Sequence, residues 1–462
     1  MWRAVFVGTL TLWATAASPE AVRPTPPTEA TLTLDQARAV ARQALFSGQF
    51  ELARKLAMGL IEADDTDPYA YGVLAAAHSR MNDPELARAA ARLSYRYADT
   101  RGQKYGAART AASIAFQQER PTVSQAWLRV ASAHAESDRQ TKALAQDYAR
   151  VRAANPFRFT VNAALAPSDN VNNGTDNVLQ VVNGVPTFGL YQGSSRALSG
   201  MVATFDTRLR YRLKASARSR TEANARLYTR RVSLSGDAKA LAPASKSSDF
   251  ASSYVEIGAD HQFAFGAKGN AIALGGAIGA SWSGGDRSYD FARLSTRRSL
   301  RLSAETRLTV HGMAERRWST ASSARDADVL TFGATLGHKL TGGDRVSFGV
   351  TVQTVSGEFT NADYKTGSLR ASYTFGKQIG PAQITTGVTV GFSDYDSYVL
   401  LGPVEGGRQD TSVYGDVSLF FADYDFAGFA PTVQLRTGKR TSNVNRFDIR
   451  ETTISLGIQS KF

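Results

Sequence analysis

The chain has 462 residues, 43% of them hydrophobic and 21% charged, with 39 glycines, no cysteine and a formal net charge of +13. The lack of cysteine excludes disulfide staples, thiolate metal sites and the lipidated cysteine of a bacterial lipoprotein, so packing or backbone pairing must hold the fold. The length alone would suit two or three soluble domains, but the pattern of residues argues against that.

Met1 is followed by Arg3, an uncharged run from Ala4 to Ala14, and the small-x-small triplet Ala14-Thr15-Ala16. That order is the one a secretory signal peptide has, so residues 1–16 are read as the signal and residues 17–31, rich in proline, as a linker. The apolar run is too short to cross a bilayer as a helix, and no second run approaching about 20 residues follows.

From residue 32 to residue 154 the chain is rich in Ala, Arg and Leu at helical spacing. Gly48-Gln49-Phe50-Glu51-Leu52-Ala53 returns 34 residues later as Asn82-Asp83-Pro84-Glu85-Leu86-Ala87, and that period belongs to the tetratricopeptide helix pair. Ala53, Ala75 and Ala87 fall where such helices cross closely, and Asp67-Pro68 punctuates the units. A looser third copy runs through Ala112 and Ala126 to His134, and a capping helix is expected from about Ser137 to Ala153. Residues 32–154 are therefore expected to form a periplasmic repeat domain whose concave surface docks proteins or peptides.

At Asn155-Pro156 the character changes, and short alternating segments rich in Tyr, Phe, Thr, Ser and Gly run from there to Phe462. Fourteen candidate strands can be drawn after Phe157, each near the 9–11 or so residues that cross a bilayer at a tilt. In the second, Ala203, Phe205, Leu209, Tyr211 and Leu213 alternate with Asp206, Arg208, Arg210 and Arg212. In the fourth, Val255, Ile257, Ala259, Phe263 and Phe265 alternate with Glu256, Gly258, Asp260 and Gln262. A soluble sandwich also alternates, so three further features are needed. Short connections (214–220, 266–270, 303–306, 341–344, 377–381, 422–427) alternate with mostly longer ones (167–199, 233–251, 284–288, 319–328, 357–363, 397–409), as periplasmic turns and outer loops do. Trp282 and Trp318 stand at the outer ends of apolar strand faces, where an interfacial girdle needs them. The chain ends with Ile454, Leu456, Ile458 and Phe462 in alternation, which resembles the closing strand presented to the outer-membrane barrel assembly machinery.

The reading is an α + β multidomain protein: N-terminal α-helical tetratricopeptide-like repeats over 32–154, then a 14-stranded antiparallel transmembrane β-barrel over 156–462. Only helices or a closed barrel can span lipid, because every backbone polar group must be paired internally. The net positive charge is then explained by a lumen lined with Arg208, Arg210, Arg212, Arg226, Arg230, Arg307, Arg370 and Arg436, partly countered by Asp206, Glu256 and Glu315. These residues either conduct or pair and fill the lumen; both uses remain open at this point. An exported protein has little occasion to meet nucleic acid, so none is expected as a partner.

No enzyme is expected. His78, His134, His261, His311 and His338 sit in none of the patterns that place a base beside a nucleophile or two histidines on a metal. The run from Asp169 to Asp176 has the look of a calcium loop, but with Gly174 at the sixth position Val171 occupies the third, where an oxygen ligand is required. A polar turn held by Asx hydrogen bonds fits better, and no metal or other cofactor is expected.

The signal, the repeats, the junction Asn155-Pro156-Phe157-Arg158-Phe159 and the motif Asp169-Asn170-Val171-Asn172-Asn173 after the first strand resemble the surface lipoprotein assembly modifier (Slam) family over essentially the whole mature chain. The resemblance implies a 14-stranded outer-membrane translocon of a Gram-negative bacterium that moves client proteins, lipidated or soluble, from periplasm to cell surface. The expected partners are the outer-membrane bilayer, those clients, periplasmic chaperones and the barrel assembly machinery. The alternative is an outer-membrane pore for small solutes or for exopolysaccharide export. Such exporters carry many more repeats and an aromatic or acidic lumen, and a diffusion pore has no use for the repeat domain.

Overall fold

The computed structural model describes residues 32–400, 402–424 and 429–460. The expected signal over 1–16, the linker over 17–31 and Phe462 lie outside those residues.

A first compact unit ends at Tyr97 and a second begins at Ala98. The first holds four helices, α1 (Leu34–Phe46), α2 (Phe50–Ala63), α3 (Pro68–Arg80) and α4 (Pro84–Tyr97). Thr33 opens α1 with a capping box, its hydroxyl accepting from the Gln36 N–H while the Gln36 side chain accepts from its own. The repeat is visible in backbone geometry, because Gly48 and Asn82, 34 residues apart, both leave their helices with φ of +80° and +64°. Glycine and asparagine are the residues that tolerate this left-handed turn. Ala41, Ala44, Ala53, Ala57, Leu60, Ala70, Val73 and Ala77 form the core, so the small side chains let the helix axes approach. Ala75 and Ala87 are likewise fully buried.

The second unit starts with α5 (Arg101–Gln117), α6 (Pro121–Ser132) and α7 (Asp138–Ala154). Glu119 has φ +54° and makes the same exit as Gly48 and Asn82, at a longer spacing. Helix gives way to strand at Asn155-Pro156. The compact units part earlier because α5 to α7 are tied to the strands: Arg212 donates to the carbonyls of Ala153 (3.0 Å) and Ala154 (2.7 Å) at the end of α7.

Fourteen antiparallel strands then close on themselves. They are β1 (Phe157–Ser168), β2 (Gly200–Ala215), β3 (Ser219–Leu234), β4 (Ser252–Ala264), β5 (Ala271–Ser283), β6 (Asp286–Arg301), β7 (Thr306–Ser319), β8 (Ala327–Lys339), β9 (Arg345–Gly357), β10 (Tyr364–Thr374), β11 (Gln383–Tyr395), β12 (Arg408–Phe420), β13 (Phe429–Ser442) and β14 (Ile449–Ser460). Each pairs with its neighbours in sequence, and β1 pairs with β14. The rim where β1 begins is called proximal here, and the opposite rim distal. Short turns join strands at the proximal rim and most long connections lie at the distal one. The 284–288 connection departs from the expected long loop: β6 begins at Asp286, and Gly284-Gly285, with φ of +65° and +98°, makes a two-residue turn whose second position favours glycine.

Period two fixes the two faces of the wall. One carries Phe205, Leu209, Ile257, Ile278, Leu294, Phe332, Leu369, Phe392 and Leu456, all left exposed by the protein. An apolar belt of this extent, uncovered by protein, is the surface a bilayer covers. Trp318 belongs to it near the distal end of β7. No helix among the described residues is long and apolar enough to cross a membrane.

Candidate functional site: the charged lumen and the loops at its distal mouth

Side chains on the inner face reach across whole strands, which is possible only on the concave side. Arg370 on β10 passes β11 to meet Asp416 on β12 at 2.7 and 2.9 Å. Arg226 makes a two-pronged pair with Asp206 at 3.0 and 2.9 Å. Arg293 joins Glu256 (2.7 Å) and Glu315 (2.5 Å), and Arg317 also reaches Glu315 (2.6 Å). Two-pronged guanidinium–carboxylate pairs are geometrically specific, so these cations brace the middle and distal wall.

The proximal third differs. Arg158, Arg210, Arg297, Arg307, Lys339 and Arg345 lie on the inner face there, and the ion pairs found among the described residues include none of them. Only two inner-face carboxylates are found among them, Glu222, which Arg220 pairs at 3.2 Å, and Asp260, which accepts from Asn224, and an excess of cations over carboxylates at one rim produces a field that attracts acidic chain. The lumen is thus electrostatically one-sided.

The distal mouth is crowned by loops. Val171, Leu198, Leu234, Ala238 and Ala242 make a small core joining the β1–β2 loop to the β3–β4 loop, where a short helix α8 (Gly236–Leu241) sits. Asn170 accepts from the Gly174 N–H (2.8 Å) and donates to its carbonyl (2.7 Å). Asn172 donates to the carbonyls of Ser194 and Arg196 and accepts from the Leu198 N–H. A Cβ on Gly174 would come within 2.1 Å of the Arg196 carbonyl, so the loop closes only over glycine. Asn173 takes a left-handed φ of +54° and Asp169 is exposed. The side-chain oxygens of Asn170 and Asn172 are thus engaged by backbone N–H groups. Below the loop lies a cavity of about 570 Å³, lined by Asn170 to Asn173, Arg230 and Glu451.

A hairpin over Leu179–Leu190 extends the same loop toward the β13–β14 connection. There Asn445 accepts from the Val181 N–H (2.8 Å) and the Tyr191 hydroxyl (3.0 Å) and donates to the Leu179 carbonyl (2.9 Å). Beside it, Arg408 pairs with Asp410 (2.6 Å) and lies between the rings of Tyr395, Tyr398 and Phe447, which ties the β11–β12 connection as well as the β13–β14 connection to the wall.

The structure separates the cations expected in the lumen. Arg226 and Arg370 are held by carboxylates, Arg230 by the carbonyls of Val171 and Phe250, Arg212 by helix α7, and Arg436 lies over Tyr414. Arg208 lies 3.5 Å from Asp206, while Arg210 and Arg307 belong to the unpaired proximal group. Arg158, Arg293, Arg297, Arg317, Lys339 and Arg345 were missed in the sequence. On β6 the reason is plain: Tyr289 and Phe291 share the inner face with Arg293 and Arg297, so apolar and charged residues do not sort by face. Ile454, Leu456 and Ile458 occupy the lipid face of β14. On the lipid face of β4, the His261 Nδ1 lies 2.9 Å from the Thr221 hydroxyl.

A family model described as surface lipoprotein assembly modifier matches residues 157–462. No curated protein matches by sequence. Among solved structures, the Yersinia enterocolitica type III secretion chaperone SycD in complex with a peptide of the translocator YopD is 17% identical, covering 26% of this chain and 92% of its own, with a TM-score of 0.24. An outer membrane channel from Pseudomonas putida F1 is 12% identical over 65% of this chain and 94% of its own, TM-score 0.32. Acinetobacter baumannii OccAB3 is 10% identical over 65% and 98%, TM-score 0.35.

Proposed function

The chain belongs to the surface lipoprotein assembly modifier family, and from that premise we propose that its barrel carries client proteins, lipid-anchored or soluble, from the periplasm to the cell surface. The observation that carries the reading is that the family match runs from Phe157 to Phe462, the stretch that builds the barrel. A role in transport or assembly, rather than catalysis, follows from family and fold together.

In this reading the proximal rim faces the periplasm. The tetratricopeptide-like helices receive a client held unfolded by periplasmic chaperones, and the unpaired cations at that rim draw its acidic stretches into the lumen. The paired cations farther along keep the wall rigid, and the client folds outside, which makes the passage one-way. The barrel assembly machinery would insert the strands, with the alternation ending at Ile454, Leu456, Ile458 and Phe462 as its signal.

The test is deletion of the gene followed by comparison of surface-exposed proteins on intact cells. Loss of one or a few surface proteins, restored by the intact gene, is the expected result. An unchanged surface proteome accompanied by reduced uptake of a small solute would replace the translocon with a pore.

A further inference from the structure

The join between β1 and β14 is built differently from the other joins of the wall. Aligned pairs run from Asn162 opposite Gln459 to Leu165 opposite Leu456, then resume only at Ser168 opposite Thr453. On its other side β1 is matched with β2 at every residue from Phe157 to Ser168. The cause can be read from the backbone. The Arg212 N–H donates to the Pro156 carbonyl at 2.8 Å, so even-numbered residues of β1 turn their N–H and C=O toward β2, and odd-numbered ones toward β14. Pro167 is odd and has no N–H. Its register partner Ile454 therefore loses a donor inside the ladder, in the distal half of the wall.

Side chains hold both ends of this same join. At the proximal end Arg129 of α6 donates to the Ser460 hydroxyl on β14 (3.3 Å) and stacks over Phe429 on β13 (4.9 Å) and Phe159 on β1 (5.5 Å). At the distal end the loop that leaves β1 is latched to the loop that enters β14. Thr175 donates to the Asn445 carbonyl (2.8 Å) and Asn177 to Asp448 (3.2 Å), beside the Asn445 side-chain bonds described above. Side-chain latches open without unfolding strands; a continuous ladder does not.

We propose that the distal half of the β1–β14 join opens sideways, and that this opening is the route by which the acyl chains of a lipidated client leave the lumen for the outer leaflet. The proposal rests on the export reading. Acyl chains leaving through the distal mouth would be exposed to water and to polar loops, whereas those leaving through the join pass directly between Leu165, Ile454 and Leu456, whose side chains already face lipid. A client without acyl chains has no need of the opening and leaves by the mouth.

The chain contains no cysteine, so a single engineered disulfide can lock one join. Ser168→Cys with Thr453→Cys bridges the distal part of the join, and Thr366→Cys with Ser393→Cys bridges an aligned pair on the β10–β11 join as a control. The probe is the lipidated surface protein that disappears on deletion of this gene, followed by surface labelling beside the same protein lacking its lipidated cysteine. Heat-modifiable gel mobility verifies assembly of each variant. The expected result is that the oxidised β1–β14 bridge abolishes display of the lipidated form, spares release of the unlipidated form and is reversed by reductant, while the control bridge does neither. Pro167→Val, which restores the donor without a disulfide, should slow display of the lipidated form alone. Unimpaired lipidated display behind an oxidised β1–β14 bridge, or equal loss of both forms, overturns the proposal. Deletion that leaves surface proteins unchanged overturns the export reading itself.

Discussion

Arg208, Leu209 and Arg210 put two environments on three consecutive residues of β2. The guanidinium groups face the lumen and Leu209 faces lipid, where it pairs with Ala225 on β3 and Phe159 on β1. Moving a basic residue onto the lipid face costs about 2–4 kcal/mol near the midplane and less toward the rim, so Leu209→Arg should impair assembly. It should show as loss of the heat-modifiable folded form on a gel. Replacing Arg208 and Arg210 with Gln keeps polarity and shape while removing charge, and neither makes a two-pronged pair whose partner would be stranded. Folding should be unchanged while surface labelling of an acidic client falls. Normal export by the Gln pair together with normal assembly of Leu209→Arg would refute both the face assignment and the steering role. Arg226→Gln is the instructive contrast, since it strands Asp206 and should weaken the wall more than it alters traffic.

Among the elements, α6 and α7 connect helical repeat to barrel. His134 follows α6, and burial, with Lys104 and Arg101 nearby, pushes its imidazole below the ordinary value of 6.5. A depressed histidine favours the neutral form in the folded state, so the stability it contributes is present above 6.5 and is lost as pH falls from there through the lower folded value. Protease sensitivity of the 133–137 connection in detergent-solubilised protein should therefore rise between about pH 7.5 and about pH 5.5, and His134→Gln should flatten that response. Equal sensitivity of the two proteins would remove His134 as the cause. The third helical repeat was only loosely legible in the sequence for a related local reason. Its left-handed exit is made by Glu119, and a residue that strains in that conformation does not announce the turn as Gly48 and Asn82 do.

At the scale of the whole molecule, the long β1–β2 loop and the short 303–306 turn lie at opposite rims of the barrel. A protease-cleavable tag placed within residues 177–191, at the Asn183-Gly184 hairpin turn, should be cut on intact cells, and one within residues 303–306 should be cut only after the outer membrane is breached. The reverse pattern would invert the orientation. The repeat period, the strand number and the lipid face of most strands were legible in the chain, because these depend on periods of about 3.6 and 2 residues that near neighbours carry. Tertiary structure alone decided the rest. Which arginines are braced and which are bare depends on carboxylates one or two strands away, as for Arg370 and Asp416, 46 residues apart. Residues 270 apart, Thr175 and Asn445, latch the distal mouth. Pro167 reads as an ordinary strand-end proline until closure of the barrel places β14 on the side of β1 where its missing donor falls. Contacts of that range arise from closure, and no local period records them.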